Sequence, residues 1–219
     1  APEILRLLAS MGSSFDCASV AEIEMAMDAG ASADRISYGN TIKKERDILR
    51  AFELGIRLFA IDCVEEAEKI GRVAPGSKVF CRVLTDGEGA EWPLSRKFGC
   101  APSMAIDVLR HAKALNLTPW GVSFHVGSQQ VNLDAWDRAL ADAKMVFATL
   151  AEEGIVLGLV NMGGGFPTRY LKDVPSAQSY GQAIFGYLRK HFGNVLPETI
   201  IEPGRGMVGN AGTIKTEVV

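Results

Sequence analysis

Two stretches of this chain carry residue types whose spacing permits chemistry. In the first, the apolar run Leu157-Gly158-Leu159-Val160 passes through Asn161 and Met162 into Gly163-Gly164-Gly165, followed by Phe166-Pro167. An apolar run that stops at three glycines reads as a buried strand whose loop brings its backbone unusually close to something. Successive N–H groups free of side chains form a concave nest for an anion, and a phosphate is the natural ligand, although a tight turn accounts for the same pattern. In the second stretch, Thr199-Ile200-Ile201 runs into Glu202-Pro203-Gly204-Arg205. There an apolar strand ends in a carboxylate, a turn and a guanidinium able to bind phosphate bidentately. Glu202 and Arg205 equally suit an ion pair that ties down a rim.

Three further side chains belong to the same inventory. His125 stands at the end of the strand pattern Trp120–Val126, and Ser128 adds a hydroxyl three residues on. A functional role for His125 competes with that of a hydrogen-bonded core histidine. Asp16 ends the strand pattern Ser14–Cys17 and suits either a group orienting a base or an amine, or a helix N-cap. His111, in mid-helix, reads as solvated, and His191 lies near a helix end, where the dipole favours its charge.

The elements that position these groups alternate strand with helix. Ile4, Leu5, Leu8 and Met11 have helical spacing with Gly12 as the stop, and Ser19 with Glu22 forms a capping box before the next helix. Strands at residues 36–38, 58–61 and 78–84 alternate with helices at about 44–54 and from Asp62 to Val73, and residues 85–99 form an irregular polar loop. Pro102 opens a helix, Trp136 to Leu150 lie along a long one closed by Gly154, and Ser176 caps another to about His191. Seven strands joined by helix-length crossovers require parallel pairing and right-handed βαβ units. Such a run is a doubly wound sheet or a (β/α)8 barrel lacking one strand. The barrel is favoured, because the anion-compatible loops follow the last two strands, where barrels commonly hold phosphate. The missing strand is expected before Ala1. Residues 1–206 then form the barrel domain, and residues 207–219, glycine-spotted and then β-prone, begin the connection to another domain.

At 219 residues, 47% of them hydrophobic, the chain can build a large core. A net charge of -3 with no basic run argues against nucleic acid or an anionic membrane as the partner and for a small molecule. No apolar segment approaches the ~20 residues that cross a bilayer as a helix. Cys17, Cys63, Cys81 and Cys100 are dispersed, which fits free thiols in the cytoplasm better than a disulfide frame or a zinc site.

A carboxylate beside a phosphate site has a specific use if the ligand is pyridoxal 5'-phosphate: held ionised against the pyridine nitrogen, it keeps the ring an electron sink. Four motifs carry a resemblance to that chemistry. Phe15-Asp16-Cys17-Ala18-Ser19, Val122-Ser123-Phe124-His125-Val126-Gly127-Ser128, Gly163-Gly164-Gly165-Phe166-Pro167 and Glu202-Pro203-Gly204-Arg205 occur in this order and spacing. Together they resemble the fold-type III pyridoxal-phosphate decarboxylases, alanine racemase-like barrels, and within them the ornithine/lysine decarboxylase branch.

The resemblance implies roles. His125 stacks on the cofactor ring, while Ser128, Gly163, Gly164, Gly165, Gly204 and Arg205 hold its phosphate. Glu202 pairs with the pyridine nitrogen, and Asp16 lies near the Schiff-base lysine. The implied activity is decarboxylation of L-ornithine, or of L-lysine, to putrescine or cadaverine in polyamine synthesis, by a homodimer with shared sites. Diaminopimelate or carboxynorspermidine decarboxylation, or a non-catalytic cofactor-binding or regulatory homologue, are the alternatives. Three departures stand out. The lysine is expected before Ala1, the C-terminal β-domain is expected after Val219, and an arginine that many relatives carry just before Lys97-Phe98-Gly99 is replaced by Pro93, with Arg96 nearby. The fragment alone is therefore expected to be inactive.

Overall fold

The computed structural model describes residues 2–92 and 97–217, so the replacement of an arginine by Pro93, and Arg96, lie outside the described residues. In chain order the elements are α1 (Pro2–Ser10), β1 (Phe15–Cys17), α2 (Val20–Asp28), β2 (Ile36–Tyr38), α3 (Glu45–Glu53), β3 (Leu58–Ile61), α4 (Val64–Val73) and β4 (Lys78–Arg82). They continue as β5 (Ala90–Trp92), α5 (Pro102–Ala114), β6 (Thr118–Ser123), β7 (Ser128–Gln130), α6 (Asp134–Glu152), β8 (Leu159–Asn161), α7 (Ala177–Phe192), β9 (Glu198–Ile200) and α8 (Gly204–Val208).

The helices start and stop where local chemistry directs. Ser19 Oγ accepts from Glu22 N at 3.3 Å, and Glu22 returns a carboxylate oxygen to Ala18 N at 2.6 Å. Ser176 Oγ accepts from Ser179 N at 3.1 Å, and Gly12 and Gly154 take the left-handed conformation (φ 79° and 72°) that ends a helix without a Cβ penalty. Cys63, not Asp62, precedes α4; Asp62 instead accepts from Gly99 N at 2.9 Å and so pins the return of the 84–99 segment to the strand ends.

Seven strands form one parallel sheet in the order β1-β2-β3-β4-β6-β8-β9. The sheet curls. Leu58 of β3 and Ile200 of β9, four places apart in the strand order, pack on one small cluster of Ala60, Phe80 and Leu159, and β1 and β9 both line one groove of about 620 Å³. A flat doubly wound sheet brings no such residues together. The edges β1 and β9 stay unpaired with each other, so the sheet is a nearly closed barrel with one open seam.

Alternation along each strand sorts the side chains. In β4, Val79 and Cys81 join the large core beneath the helices while Phe80 faces the interior; in β8, Val160 faces the helices and Leu159 the interior. The interior is thus a packed layer of apolar side chains, as in closed barrels. One step of two residues further along the strands places Arg82, Asn161 and Glu202 above that layer, at the carboxyl end. By the same parity Phe15 and Cys17 pack toward the helices and Asp16 points inward, as does Ser37 between Ile36 and Tyr38.

Two expectations need correction. The segment 85–99 is not wholly irregular, because β5 pairs antiparallel with β7 (Ala90 with Gln130, Trp92 with Ser128) as a two-stranded ribbon outside the sheet. Three-residue strands carry too little periodicity to be read from sequence. Residues after Arg205 form no strand up to Glu217; Gly204–Val208 is a short helix. Val208 and Ile214 are β-branched, but nothing among the described residues offers them a strand partner.

Candidate active site

At the carboxyl end of the strands lies a cavity of about 280 Å³, near the low end of ligand-sized pockets, lined among others by Asp16, Thr41, Arg82, Phe98, His125 and Glu202. Asp16 and Glu202 also line the groove of the open seam, so they form the common wall of the two spaces.

Each acid is held by a designated donor. Ser37 Oγ donates to Asp16 Oδ1, and Asp16 packs so tightly on Gly39 that a Cβ there would overlap its carboxylate. Asp16 is therefore no helix cap; Ser19 fills that role. Asn161 Nδ2 donates to Glu202 Oε1 at 2.7 Å. The alternative of an ion pair between Glu202 and Arg205 is not realised: Arg205 Nη1 donates to the Tyr170 hydroxyl at 3.3 Å instead.

Burial, and then the charge of Glu202, push the Asp16 carboxyl up to about 8, opposed by the Ser37 donor and by Arg82. Burial likewise pushes Glu202 up, opposed by the Asn161 donor and by Arg82. Two inward acids on opposite edges of one seam thus compete, and the charge of Arg82 acts on both.

His125 Nδ1 accepts from Gly127 N at 3.0 Å, and its carbonyl accepts from Thr85 Oγ1 at 2.7 Å. Burial first, and then Arg82, lower its pKa to about 4, so the imidazole is neutral with its proton on Nε2 at ordinary pH. His111 and His191 take other parts. His111 faces Glu68 at 3.4 Å, and His191 pairs with Asp137 at 2.6 Å on the outer helices.

The glycine triplet is required by its surroundings. Gly163 has φ 63°, and a Cβ there would come within 2.0 Å of Phe124 O. A Cβ on Gly164 would stand 3.0 Å from both Glu202 O and His125 Nε2, and one on Gly165 (φ 102°) 2.6 Å from Gly127 O. The triplet is therefore wedged between the His125–Ser128 turn and the end of β9. A Cβ on Gly206 of α8 would meet Phe166 Cβ at 3.2 Å, so the second anion-compatible segment packs against the chain leaving the triplet.

The structure thus joins Asp16, His125 and Glu202 in one cavity and sets the turn bearing Ser128 and Gly163–Gly165 against its rim. It does not place Ser128, the triplet or Arg205 in the wall of that cavity, and Gly204 lines the seam groove instead. Sequence reading missed Arg82 and Asn161. Both end parallel strands, the criterion that singled out His125, and inward parity along β4 and β8 identifies them. It also missed Thr41, whose buried Oγ1 has no hydrogen-bond partner among the described residues.

A parallel, nearly closed α/β barrel whose carboxyl-end cavity holds two acids at strand ends, a neutral histidine and an adjoining glycine cradle defines a cofactor-binding barrel domain. Residues 1–209 match the family described as pyridoxal-dependent decarboxylase, pyridoxal binding domain. The chain belongs to that family, whose cofactor is pyridoxal phosphate.

The chain is 34% identical over 223 residues to the lysine/ornithine decarboxylase of Selenomonas ruminantium, covering 100% of this chain and 55% of the relative. It is 38% identical over 222 residues to the chloroplastic ornithine decarboxylase of Nicotiana glutinosa, covering 100% of this chain and 50% of the relative. The crystal structure of lysine decarboxylase from Selenomonas ruminantium superposes with a TM-score of 0.87 at 32% identity, over 94% of this chain and 54% of the other. The chain spans about half the length of the relatives it matches. No helix among the described residues is long and apolar enough to cross a membrane.

Proposed function

We propose that this chain is most of the cofactor barrel of a decarboxylase that converts a basic amino acid, L-ornithine or L-lysine, to putrescine or cadaverine. The observation that carries the reading is the wedging of Gly164 between the His125 ring and the Glu202 backbone, which sets an anion-compatible loop beside a neutral aromatic ring and the strand end that bears a hydrogen-bonded carboxylate. That donor set fits a phosphorylated pyridine aldehyde.

When bound, pyridoxal phosphate supplies an electron sink for the carbanion left as carbon dioxide departs. The chain supplies the rest. Glu202, held from Asn161, presents a carboxylate to the ring nitrogen and stabilises a proton there. His125, uncharged above pH of about 4, offers its flat face to the ring without competing for that proton. Ser128, Gly163, Gly164, Gly165, Gly204 and Arg205 bind the phosphate, with Arg205 exchanging its Tyr170 partner for it. Asp16, at the open seam, orients an amine entering from that side.

We infer that a strand from before Ala1, carrying the lysine that binds the cofactor, occupies the open seam between β1 and β9. We also infer that residues 207–219 lead to a C-terminal β-domain, that two copies complete each other's sites, and that the four free thiols reflect a reducing compartment such as the cytoplasm.

Release of labelled carbon dioxide from ornithine, lysine, arginine and diaminopimelate by the intact protein tests the reading. Ornithine or lysine is expected to be the preferred substrate. Cofactor binding without release from any of the four would favour a binding or regulatory role. For residues 1–219 alone, weak cofactor binding is expected, and a strong absorbance band fixed to the chain by borohydride would contradict the placement of the lysine outside it.

A further inference from the structure

Asn161 belongs to none of the four motifs, yet it closes a circuit through two of them. Gly163 N donates to Asn161 Oδ1 at 2.9 Å, Asn161 Nδ2 donates to Glu202 Oε1 at 2.7 Å, and Glu202 N donates to Gly163 O at 2.8 Å. The orientation of the amide follows from the chemistry of its neighbours. A backbone N–H can only donate, so the oxygen of Asn161 must face Gly163 and its NH2 must face Glu202. Glu202 Oε1 is then obliged to accept, which the ionised carboxylate does best.

Asn161 is only 1% exposed, so water cannot replace either bond. Its backbone is equally fixed, with Asn161 O accepting from Phe124 N at 3.1 Å and Met162 N donating to Ile200 O at 2.8 Å. Gly163 cannot yield toward Phe124, because the strand is already in contact there. The carboxylate cannot rotate, nor the glycine loop shift, without breaking this circuit.

We propose that Asn161 is a positioning residue that locks the acid assigned to the ring nitrogen and the loop assigned to the phosphate into one rigid unit. The assignment rests on the cofactor reading above. One side chain thereby fixes the separation of two anchoring points on the ligand and directs which oxygen of Glu202 remains free to face it.

Two substitutions in the intact protein separate the functions. Asn161→Asp keeps the shape and an acceptor for Gly163 N, but sets a carboxylate against Glu202, so that the two acids share a proton. Asn161→Leu keeps the volume and loses both bonds. Affinity is read by titration with pyridoxal 5'-phosphate and with unphosphorylated pyridoxal, and the bound cofactor's absorbance is followed against pH.

For Asn161→Leu, both ligands are expected to bind at least about tenfold more weakly, the size of a lost hydrogen bond to a charged group. For Asn161→Asp, pyridoxal 5'-phosphate affinity at low pH is expected to stay near that of the unsubstituted protein. The pH midpoint of its bound absorbance should move by about one unit or more, a shift that a merely structural asparagine would not produce. Because Asn161→Asp preserves the fold's contacts, it reads the Glu202 bond even if the leucine variant fails to fold.

A pH curve for Asn161→Asp that overlays the unsubstituted one would overturn the positioning role and leave the cofactor reading standing. Absence of any cofactor signal from the unsubstituted protein would overturn the cofactor reading, and the positioning role with it.

Discussion

Lys43 and Glu66 form an ion pair of 2.9 Å in which neither side chain is more than 3% exposed, and Lys43 Nζ also donates to Ala60 O at 2.6 Å and Asn40 O at 2.8 Å. The pair clamps the turn that follows β2 onto the end of β3, and that turn supplies Gly39, Asn40 and Thr41 to the cavity wall. Glu66→Ala strands a buried ammonium and is expected to destabilise the fold by about 3–5 kcal/mol. The double change Lys43→Met, Glu66→Leu removes both charges of the pair but leaves Ala60 O and Lys43 N without these partners, so it should recover only part of that loss. Urea unfolding of the three proteins checks it; a double variant no better than Glu66→Ala would show that packing of the turn, not charge, dominates.

Two of the shifted groups of the cavity, Asp16 and His125, predict opposite slopes of stability with pH in the cofactor-free protein, and Glu202, also pushed up by burial, has the sign of Asp16. Asp16 has a folded pKa of about 8 against an ordinary 3.8. Between those values the unfolded chain has lost this proton and the folded one keeps it, so the group's contribution to stability falls as pH rises. His125 has a folded pKa of about 4 against 6.5, so its contribution is lost as pH falls through that interval. The two nearly offset between pH 4 and 6.5, and above 6.5 the Asp16 slope stands alone of the pair. Asp16→Asn, which can still accept from Ser37, is expected to flatten the decline toward pH 8, and His125→Phe to leave Asp16 unopposed, so that stability also declines with rising pH between about 4 and 6.5. Denaturant midpoints measured at half-unit steps of pH decide it, and an Asp16→Asn curve parallel to the unsubstituted one above pH 6.5 would refute the first expectation.

Glycines of the two anion-compatible segments should respond differently to alanine. At Gly163 the left-handed φ of 63° and the 2.0 Å approach to Phe124 O leave no room for a methyl group, and a backbone atom cannot step aside. Gly163→Ala is expected to cost roughly 2 kcal/mol or more. At Gly204 nothing lies within 4 Å of the added carbon, so Gly204→Ala should change thermal stability by no more than about 0.5 kcal/mol. If Gly204 contacts the phosphate, the same variant lowers affinity for pyridoxal 5'-phosphate but not for pyridoxal. Equal affinities for both ligands would remove Gly204 from the phosphate site.

Glu202→Ala in the intact protein is expected to lower turnover by roughly 10²–10³, the usual loss when one preorganised electrostatic partner is removed. Steady-state kinetics on ornithine and lysine test this. Near-normal turnover would mean that the acid just beyond β9 does not govern the ring nitrogen.

The chain's own pattern determined the alternation of strands and helices, the parallel pairing that helix-length crossovers require, and the positions of Asp16, His125 and Glu202 near strand ends. These are local matters: apolar runs, glycine stops and serine caps act within a few residues. The glycine triplet and the Glu202–Arg205 motif read as anion-compatible from their residue types, although the structure puts neither the triplet nor Arg205 in the wall of the cavity.

Tertiary structure decided what those residues touch. Glu202 turned to Asn161 and Arg205 to Tyr170 because parallel pairing of β8 with β9 places Asn161 beside the end of β9, while α8 packs back on Phe166 and carries the guanidinium outward. The ribbon of β5 with β7, the bond from Gly99 N to Asp62 and the gathering of Arg82 with two acids each join residues distant along the chain. Such contacts arise only when the sheet curls and brings the carboxyl ends of its strands around one axis, a property of seven strands acting together that no single segment encodes.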